Sequence, residues 1–362
     1  MATCRPRSCP APQGAAATPG EAELDHPTPE SAASIPDAAD VLATGGLLRE
    51  RVVRTPLLRA PALDARVGGR VLLKAESLQY TGSFKFRGAM SRLLRLDRSV
   101  AERGVVAFSS GNHGQAVAAA GRLLGIPVSV VMPDAAPAVK LERTRDQGAE
   151  VILYDPARES REAIAAELAE RRGAVLVPSF DDRWVIAGQG TAGLEILEDL
   201  ERLGLEADAL LVCCGGGGLT AGCALALEAH RADRTALHTV EPAGFDDHAR
   251  SFASGQRERI APGARSICDA LLAPTPGAIT FGINRTRVTG GLVVTDEEVR
   301  TAMRFAFDHL RLVLEPGGAV ALAALLAGRI ETRDRTLAVM LSGGNVDPRE
   351  FATLIHAPAG SG

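Results

Sequence analysis

Hydrophobic positions along this chain fall into two alternating kinds of run. VVAF (105–108), VSVVM (128–132), EVILY (150–154), ALLVCC (209–214), LHTVEP (237–242) and LAVMLS (337–342) are short and mostly aliphatic, with β-branched residues frequent, and they read as strands. Between and after them lie Ala- and Leu-rich stretches that read as helices: HGQAVAAAGRLLG (113–125), AVKLERTRDQG (138–148), REAIAAELAERRG (161–173) and LTAGCALALEAH (219–230). Near-continuous apolar strands alternating with helices predict parallel sheet covered by helices. Right-handed crossovers then place ligands beyond the carboxyl ends of the strands. No repeat of fixed period is present. Residues 1–35 break the pattern. They are rich in Ala, Pro, Thr and Glu, and they hold too few large apolar side chains to offset the entropy of ordering, so they are expected to be disordered.

Composition narrows the class. With 362 residues, 46% of them hydrophobic, the chain can bury the cores of two domains or of one domain with an inserted smaller one. A net charge of −4 without any basic block argues against a nucleic-acid partner, and an aromatic content of 4% argues against a base-stacking surface. The longest apolar run, GGAVALAALLAG (317–328), is too short to span a bilayer, so no membrane partner is expected. The N-terminus lacks the apolar core of a secretory signal, and its early Glu and Asp residues speak against a transit peptide. The six cysteines, at 4, 9, 213, 214, 223 and 268, form neither a zinc framework nor a disulfide pattern, which fits a cytoplasmic setting.

Two stretches carry chemistry. In CCGGGGLTAG (213–222) an apolar strand runs into Gly215, Gly216, Gly217 and Gly218 before a helix begins. Bare backbone lets several N–H groups point at one anion, and the helix N-terminus adds positive partial charge, so the turn suits a phosphate better than it suits a merely flexible link. Thr220 breaks the GxGxxG spacing and no GxxxxGK[ST] exists. Glu241, at the end of the next strand, stands near the place where an acidic residue holds a ribose, which keeps a nicotinamide-dependent oxidoreductase as a distant alternative. The second stretch is QYTGSFKFRGAM (79–90), which seats Lys85 between Phe84 and Phe86. A desolvated lysine loses its proton more readily and can attack an aldehyde. The two flanking rings offer apolar surroundings and a surface for a pyridine. By itself Lys85 reads as a solvated residue at a helix start; beside a phosphate site it suggests pyridoxal phosphate.

Four motifs in order, GSFKFRGA, SSGNHGQAVA (109–118), CCGGGGL and LSGGNVD (341–347), resemble the set found in the serine/threonine dehydratase and serine racemase family of fold-type II pyridoxal-phosphate enzymes. The likeness extends over roughly residues 40–350. It implies an α/β fold similar to the tryptophan synthase β chain, with two open, twisted, mostly parallel sheets flanked by helices. Residues 36–106 and 179–362 would form a large cofactor-binding domain, and 107–178 a smaller one. The family's cofactor-bearing lysine falls on Lys85, beside Phe84, and its phosphate cup on Gly215 to Gly218. Asn112 falls on the residue facing the phenolic oxygen, and Ser342 on the residue facing the pyridine nitrogen. Ser109, Ser110, Gly111 and His113 match the loop that grips the substrate carboxylate. Ser110 also matches the racemases' second acid/base, Arg161 a residue near the substrate, and Glu315 a glutamate near the ring edge. A serine opposite the pyridine nitrogen cannot keep it protonated as a carboxylate would, so the ring is a milder electron sink and prompt loss of a β-hydroxyl is favoured. Where the family has a Mg²⁺ or Ca²⁺ site, its ligands match Glu241, the Phe245 carbonyl and Asp247, a donor set that suits a hard cation; the alternative is a solvated acidic loop.

The resemblance therefore implies an L-threonine/L-serine ammonia-lyase acting on a small hydroxy-amino acid by α,β-elimination, in a homodimer. Serine racemase and hydroxyaspartate dehydratase remain the alternatives, the latter requiring a further cation for its second carboxylate. Only 17 residues follow Asn345, so the regulatory domain of biosynthetic threonine dehydratases is not expected. Ala270, where relatives often carry Asp-Gly, departs from the pattern on the substrate side. His26, His230, His238, His248, His309 and His356 have no metal-binding spacing and read as surface or satisfied structural residues, while His113 reads as a loop-shaping one.

Overall fold

The computed structural model describes residues 34–136 and 138–356. Residues 1–33, most of the stretch expected to be disordered, lie outside the described residues, together with Cys4, Cys9 and His26. Among the described residues ten strands form two sheets. One has the order β1 (Leu57–Arg59), β2 (Arg70–Ala75), β10 (Thr336–Leu341), β7 (Ala209–Cys213), β8 (Ala236–Pro242), β9 (Gly290–Val294). Only the edge strand β1 runs antiparallel to its neighbour. The other sheet is parallel, in the order β5 (Glu150–Tyr154), β4 (Val128–Pro133), β3 (Val105–Phe108), β6 (Val175–Leu176).

The expected strands all appear, and their place in the sheets follows from their composition. β10 is apolar from Leu337 to Leu341 because it lies between β2 and β7 with both faces covered, Leu337 standing opposite Val71 and Ala209. At the edge, β5 carries exposed Glu150 and Leu153. Four strands were not anticipated: β1 and β6 are too short to show a pattern, while β2 opens on the polar Arg70 and β9 on the pair Gly290–Gly291, which weakens their strand signal.

The longest helix, Arg183–Arg202, was also not anticipated. Its glycines Gly188, Gly190 and Gly193 lower helix propensity by roughly 1 kcal/mol each, but the fold requires them. A Cβ on Gly190 would fall 2.6 Å from the Gly222 carbonyl, so this helix and Gly218–Ala229 touch backbone to backbone. Asp182 caps the helix by accepting the N–H groups of Trp184 and Val185, and it pairs with Arg92 of helix Lys85–Leu93. Tertiary contact here overrides local preference. Among the described residues no helix is long and apolar enough to cross a membrane.

Candidate active site

The carboxyl ends of β3, β7 and β10 converge, and each runs directly into one of the sequence motifs. β10 leads to Ser342, whose carbonyl accepts the Phe84 N–H at 3.1 Å, while Ser83 bridges Gly343. This clamps the TGSFK turn onto the last strand. Lys85 opens helix Lys85–Leu93 with its side chain partly buried. Its Nζ donates to the Ser179 carbonyl at 2.7 Å and lies 5.0 Å from the centre of the Phe84 ring. Among the described residues no carboxylate forms an ion pair with it. Burial lowers its pKa to about 8, with Cys213 and Glu315 pulling weakly the other way. Phe86 does not share the site. It turns into the core and stacks on Tyr80 at 4.9 Å, so Phe84 alone supplies the ring beside the lysine.

After β7, Gly217 takes φ +93° and helix Gly218–Ala229 starts with no side chain capping it. Side chains are excluded from the turn: a Cβ on Gly216 would fall 2.3 Å from the Phe180 ring, and one on Gly218 would fall 2.6 Å from Gln189 Oε1. Thr280 Oγ1 and Asn284 Nδ2 donate to the Gly216 and Gly217 carbonyls at 2.7 and 3.2 Å, fixing the turn from outside. The first N–H groups of the helix have no partner within it and carry the positive end of its dipole. Gln189 Nε2 donates to the same Ser179 carbonyl that receives Lys85, at 3.1 Å. Ser179, Phe180 and Gln189 thus form one wall running from the lysine to the glycine turn. His248 is not the surface or satisfied residue expected. Its ring is buried behind Gly217 and held neutral, burial lowering its pKa to about 4.

The loop after β3 carries Ser109, Ser110 and Gly111, all half-buried, and Ser109 Oγ accepts the Gly111 N–H at 3.1 Å. Asn112 begins the next helix, Asn112–Leu124. Its Nδ2 donates to Glu315 Oε1 at 2.6 Å, and its Oδ1 accepts from Asn345 Nδ2 at 2.8 Å. Asn345 also donates to the Thr81 carbonyl at 2.6 Å, so three separate motifs are tied into one network. Burial and the charge of Asp269 raise Glu315 to about 8, leaving its carboxyl protonated at neutral pH. His113 Nε2 donates to the Val177 carbonyl at 2.9 Å and its ring stays neutral, pushed down to about 3 by burial and by Lys85, which suits a loop-shaping role. Ser342 is buried beside Cys213, whose thiol burial raises to about 11. Arg161 is not drawn into the network. It is exposed, pairs with Glu162 at 2.8 Å and covers the Phe108 ring at 5.6 Å.

A partly desolvated lysine and an uncapped glycine turn on one wall match the two ends of an aldehyde that carries a phosphate. The family model for "Pyridoxal-phosphate dependent enzyme" matches residues 48–343. The chain belongs to the pyridoxal-phosphate-dependent enzymes. It is 43% identical to an L-threo-3-hydroxyaspartate ammonia-lyase from a Pseudomonas species, over 87% of this chain and 97% of that one. It is 36% identical to the serine racemase of Schizosaccharomyces pombe, over 88% and 97%. The crystal structure of a threonine deaminase from T.th. superposes with a TM-score of 0.81 at 43% identity, covering 86% of this chain and 99% of that one. These likenesses establish the serine/threonine dehydratase and serine racemase family and its fold-type II architecture.

In this pyridoxal-phosphate enzyme Glu241 does not serve a ribose. Its two oxygens accept the His248 and Ala249 N–H groups at 2.9 and 2.8 Å, capping helix Asp247–Ser254, and the nicotinamide alternative falls with that observation and the family match. Phe245 and Asp247 are buried next to Glu241. Asp247 Oδ2 is buried without a hydrogen-bond partner, and burial raises its pKa to about 7. Among the described residues no group of three or more His, Cys, Asp or Glu side chains converges as a metal cluster. Sequence reasoning missed Ser179, Phe180 and Gln189, which form the wall, and it missed Lys140 and Asp269. Nothing local marks any of them, because their roles come from packing.

Proposed function

We propose that this enzyme is an ammonia-lyase for β-hydroxy-α-amino acids, with L-threonine and L-serine among its substrates, releasing a 2-oxo acid and ammonia by α,β-elimination. The observation that supports it most is Lys85: an amine drawn down to about 8, bonded to a neutral carbonyl and, among the described residues, in no ion pair with a carboxylate. When bound, pyridoxal phosphate supplies an electron sink for the bond pair left at the α-carbon. The residues do the rest. The N–H groups of Gly215 to Gly218 would hold its phosphate. Phe84 would line its ring, and Ser342 and Asn112 would hydrogen-bond its polar edge. Ser109, Ser110 and Gly111 bind the substrate carboxylate. Lys85 takes the α-proton as a general base, a task suited by a pKa near neutrality.

The reading is tested on purified holoenzyme. A visible absorption band that borohydride bleaches, with the label on Lys85, and ammonia released from L-serine or L-threonine are expected. A colourless protein without a lysine adduct, or no ammonia from any hydroxy-amino acid, overturns it. We also propose that Glu241, the Phe245 carbonyl and Asp247 hold Mg²⁺ or Ca²⁺, which would neutralise two carboxylates buried side by side. A chelator then lowers the melting temperature; no change in melting or turnover removes that site.

A further inference from the structure

Two opposite charges, on elements packed against different sheets, meet near the glycine turn. Lys140 lies on helix Ala138–Asp146, which packs on the four-stranded sheet at β5. Asp269 lies in the short turn Asp269–Leu271, which belongs to the six-stranded side. Lys140 Nζ stands 2.7 Å from Asp269 Oδ2. The turn is part of the site's wall. A Cβ on Gly215 would fall 3.1 Å from Leu271 Cα, and one on Gly317, just after Glu315, would fall 3.2 Å from Ala270 Cβ. Lys140 and Asp269 both act electrostatically on Glu315, the partner of Asn112. The ion pair therefore stands over the floor formed by the glycine turn, Asn112 and Glu315.

The two members differ in access. The Asp269 side chain is 55% exposed and that of Lys140 only 26%, so the cation is set in the wall while its partner can turn into water. Glu315 is protonated at neutral pH and does not compete for the ammonium. In the elimination proposed above, on which this inference rests, the substrate's α-carboxylate is held by the Ser109–Gly111 loop and its nitrogen faces Lys85. The third substituent of the α-carbon is left to point at the remaining wall. Arg161 is a weaker candidate for meeting it, since its guanidinium covers Phe108 and pairs within its own helix.

We propose that Lys140 binds a second carboxylate on the substrate, with Asp269 as its partner between turnovers, so that β-hydroxy-α-amino dicarboxylic acids are the favoured class. Steady-state kinetics of the holoenzyme on L-threo-3-hydroxyaspartate and L-serine, with L-aspartate as a competitor that lacks the leaving hydroxyl, test this. In Lys140→Met, kcat/KM for the dicarboxylate is expected to fall about 30-fold or more, through KM, while L-serine changes less than about threefold, because only the dicarboxylate loses a charge-assisted contact. Inhibition by L-aspartate weakens in parallel. Lys140→Arg restores most of the loss, and Asp269→Asn leaves KM for the dicarboxylate unchanged or lowers it. Equal losses on both substrates in Lys140→Met, or losses on both in Asp269→Asn, reduce the pair to a structural strap and overturn the inference. A wild-type enzyme that turns over L-serine but neither uses the dicarboxylate nor is inhibited by L-aspartate overturns it while the elimination chemistry stands. Absence of turnover on every hydroxy-amino acid removes that chemistry and this subsite with it.

Discussion

Two clusters of basic residues and glutamates share helix Lys85–Leu93, through Arg87 and Lys85, and do opposite things. In the first, Lys74 on β2 bonds Glu195 at 2.5 Å and the Thr55 carbonyl at 2.7 Å. Arg87 lies fully buried between Glu76 and Glu195, with a hydrogen bond of 2.7 Å to each. Two cations face two carboxylates, and nearly every donor has an acceptor. In the second, Lys85 has a neutral carbonyl for a partner and Glu315 an amide. Burial disfavours charge in both clusters. In the first, coulombic partners restore it for Glu76 and Arg87, while Lys74, held by Glu195, still sits below its ordinary value through burial, and the result is rigid structure. In the second the opposing pulls, of Cys213 and Glu315 on Lys85 and of Asn112 on Glu315, are outweighed by burial, so both groups drift toward neutrality and toward reactivity. The chemistry of a buried lysine is thus set by what it lacks.

Breaking each cluster sharpens the contrast. The largest effect is expected for Lys85→Ala, which should reduce ammonia release by about 10³-fold or more while the holoprotein's far-ultraviolet circular dichroism stays unchanged. Next comes Arg87→Met, which leaves Glu76 and Glu195 without their shared cation; urea unfolding should register a loss of about 3–5 kcal/mol. Loss of activity without loss of stability in that variant would show that Arg87 serves the reaction rather than the frame.

A smaller effect is expected from Lys85→Met measured in the cofactor-free protein, which should be more stable than the parent at pH 7 by about 1–3 kcal/mol. Below pH 8 the folded parent must hold a charge that burial opposes. Between about 8 and the ordinary lysine value only the unfolded chain binds that proton, so the parent's stability climbs with pH and the gap closes. A gap that widens with pH would reverse the assignment. The smallest effect is expected for Glu315→Gln, which reproduces the protonated carboxyl and should cost less than about threefold in kcat, whereas Glu315→Ala, which abandons Asn112, should cost about tenfold or more.

Much of the site was legible locally. The TGSFK turn, the SSGNHG loop and the four glycines are short segments whose backbone demands particular residues, and a turn that excludes side chains, as Gly216 and Gly218 do against Phe180 and Gln189, leaves its mark in the sequence. The helix Arg183–Arg202 was not legible, because its glycines serve contacts with Gly222 and the Arg87 carbonyl that exist only after folding. Phe86 illustrates the same limit. A residue next to the lysine in sequence leaves the site because helix geometry turns successive side chains to different sides.

The amino-acid sequence by itself determined the alternation of strand and helix, the anion-binding turn and the identity of the reactive lysine, since each depends on residues close together in the chain. Folding alone decided which buried lysine is neutralised and which is left deprived. Glu195, Ser179 and Asp269 reach Lys74, Lys85 and Lys140 from distant elements. Charge acts through space, over a few ångströms, and those neighbours exist only once the two sheets have packed.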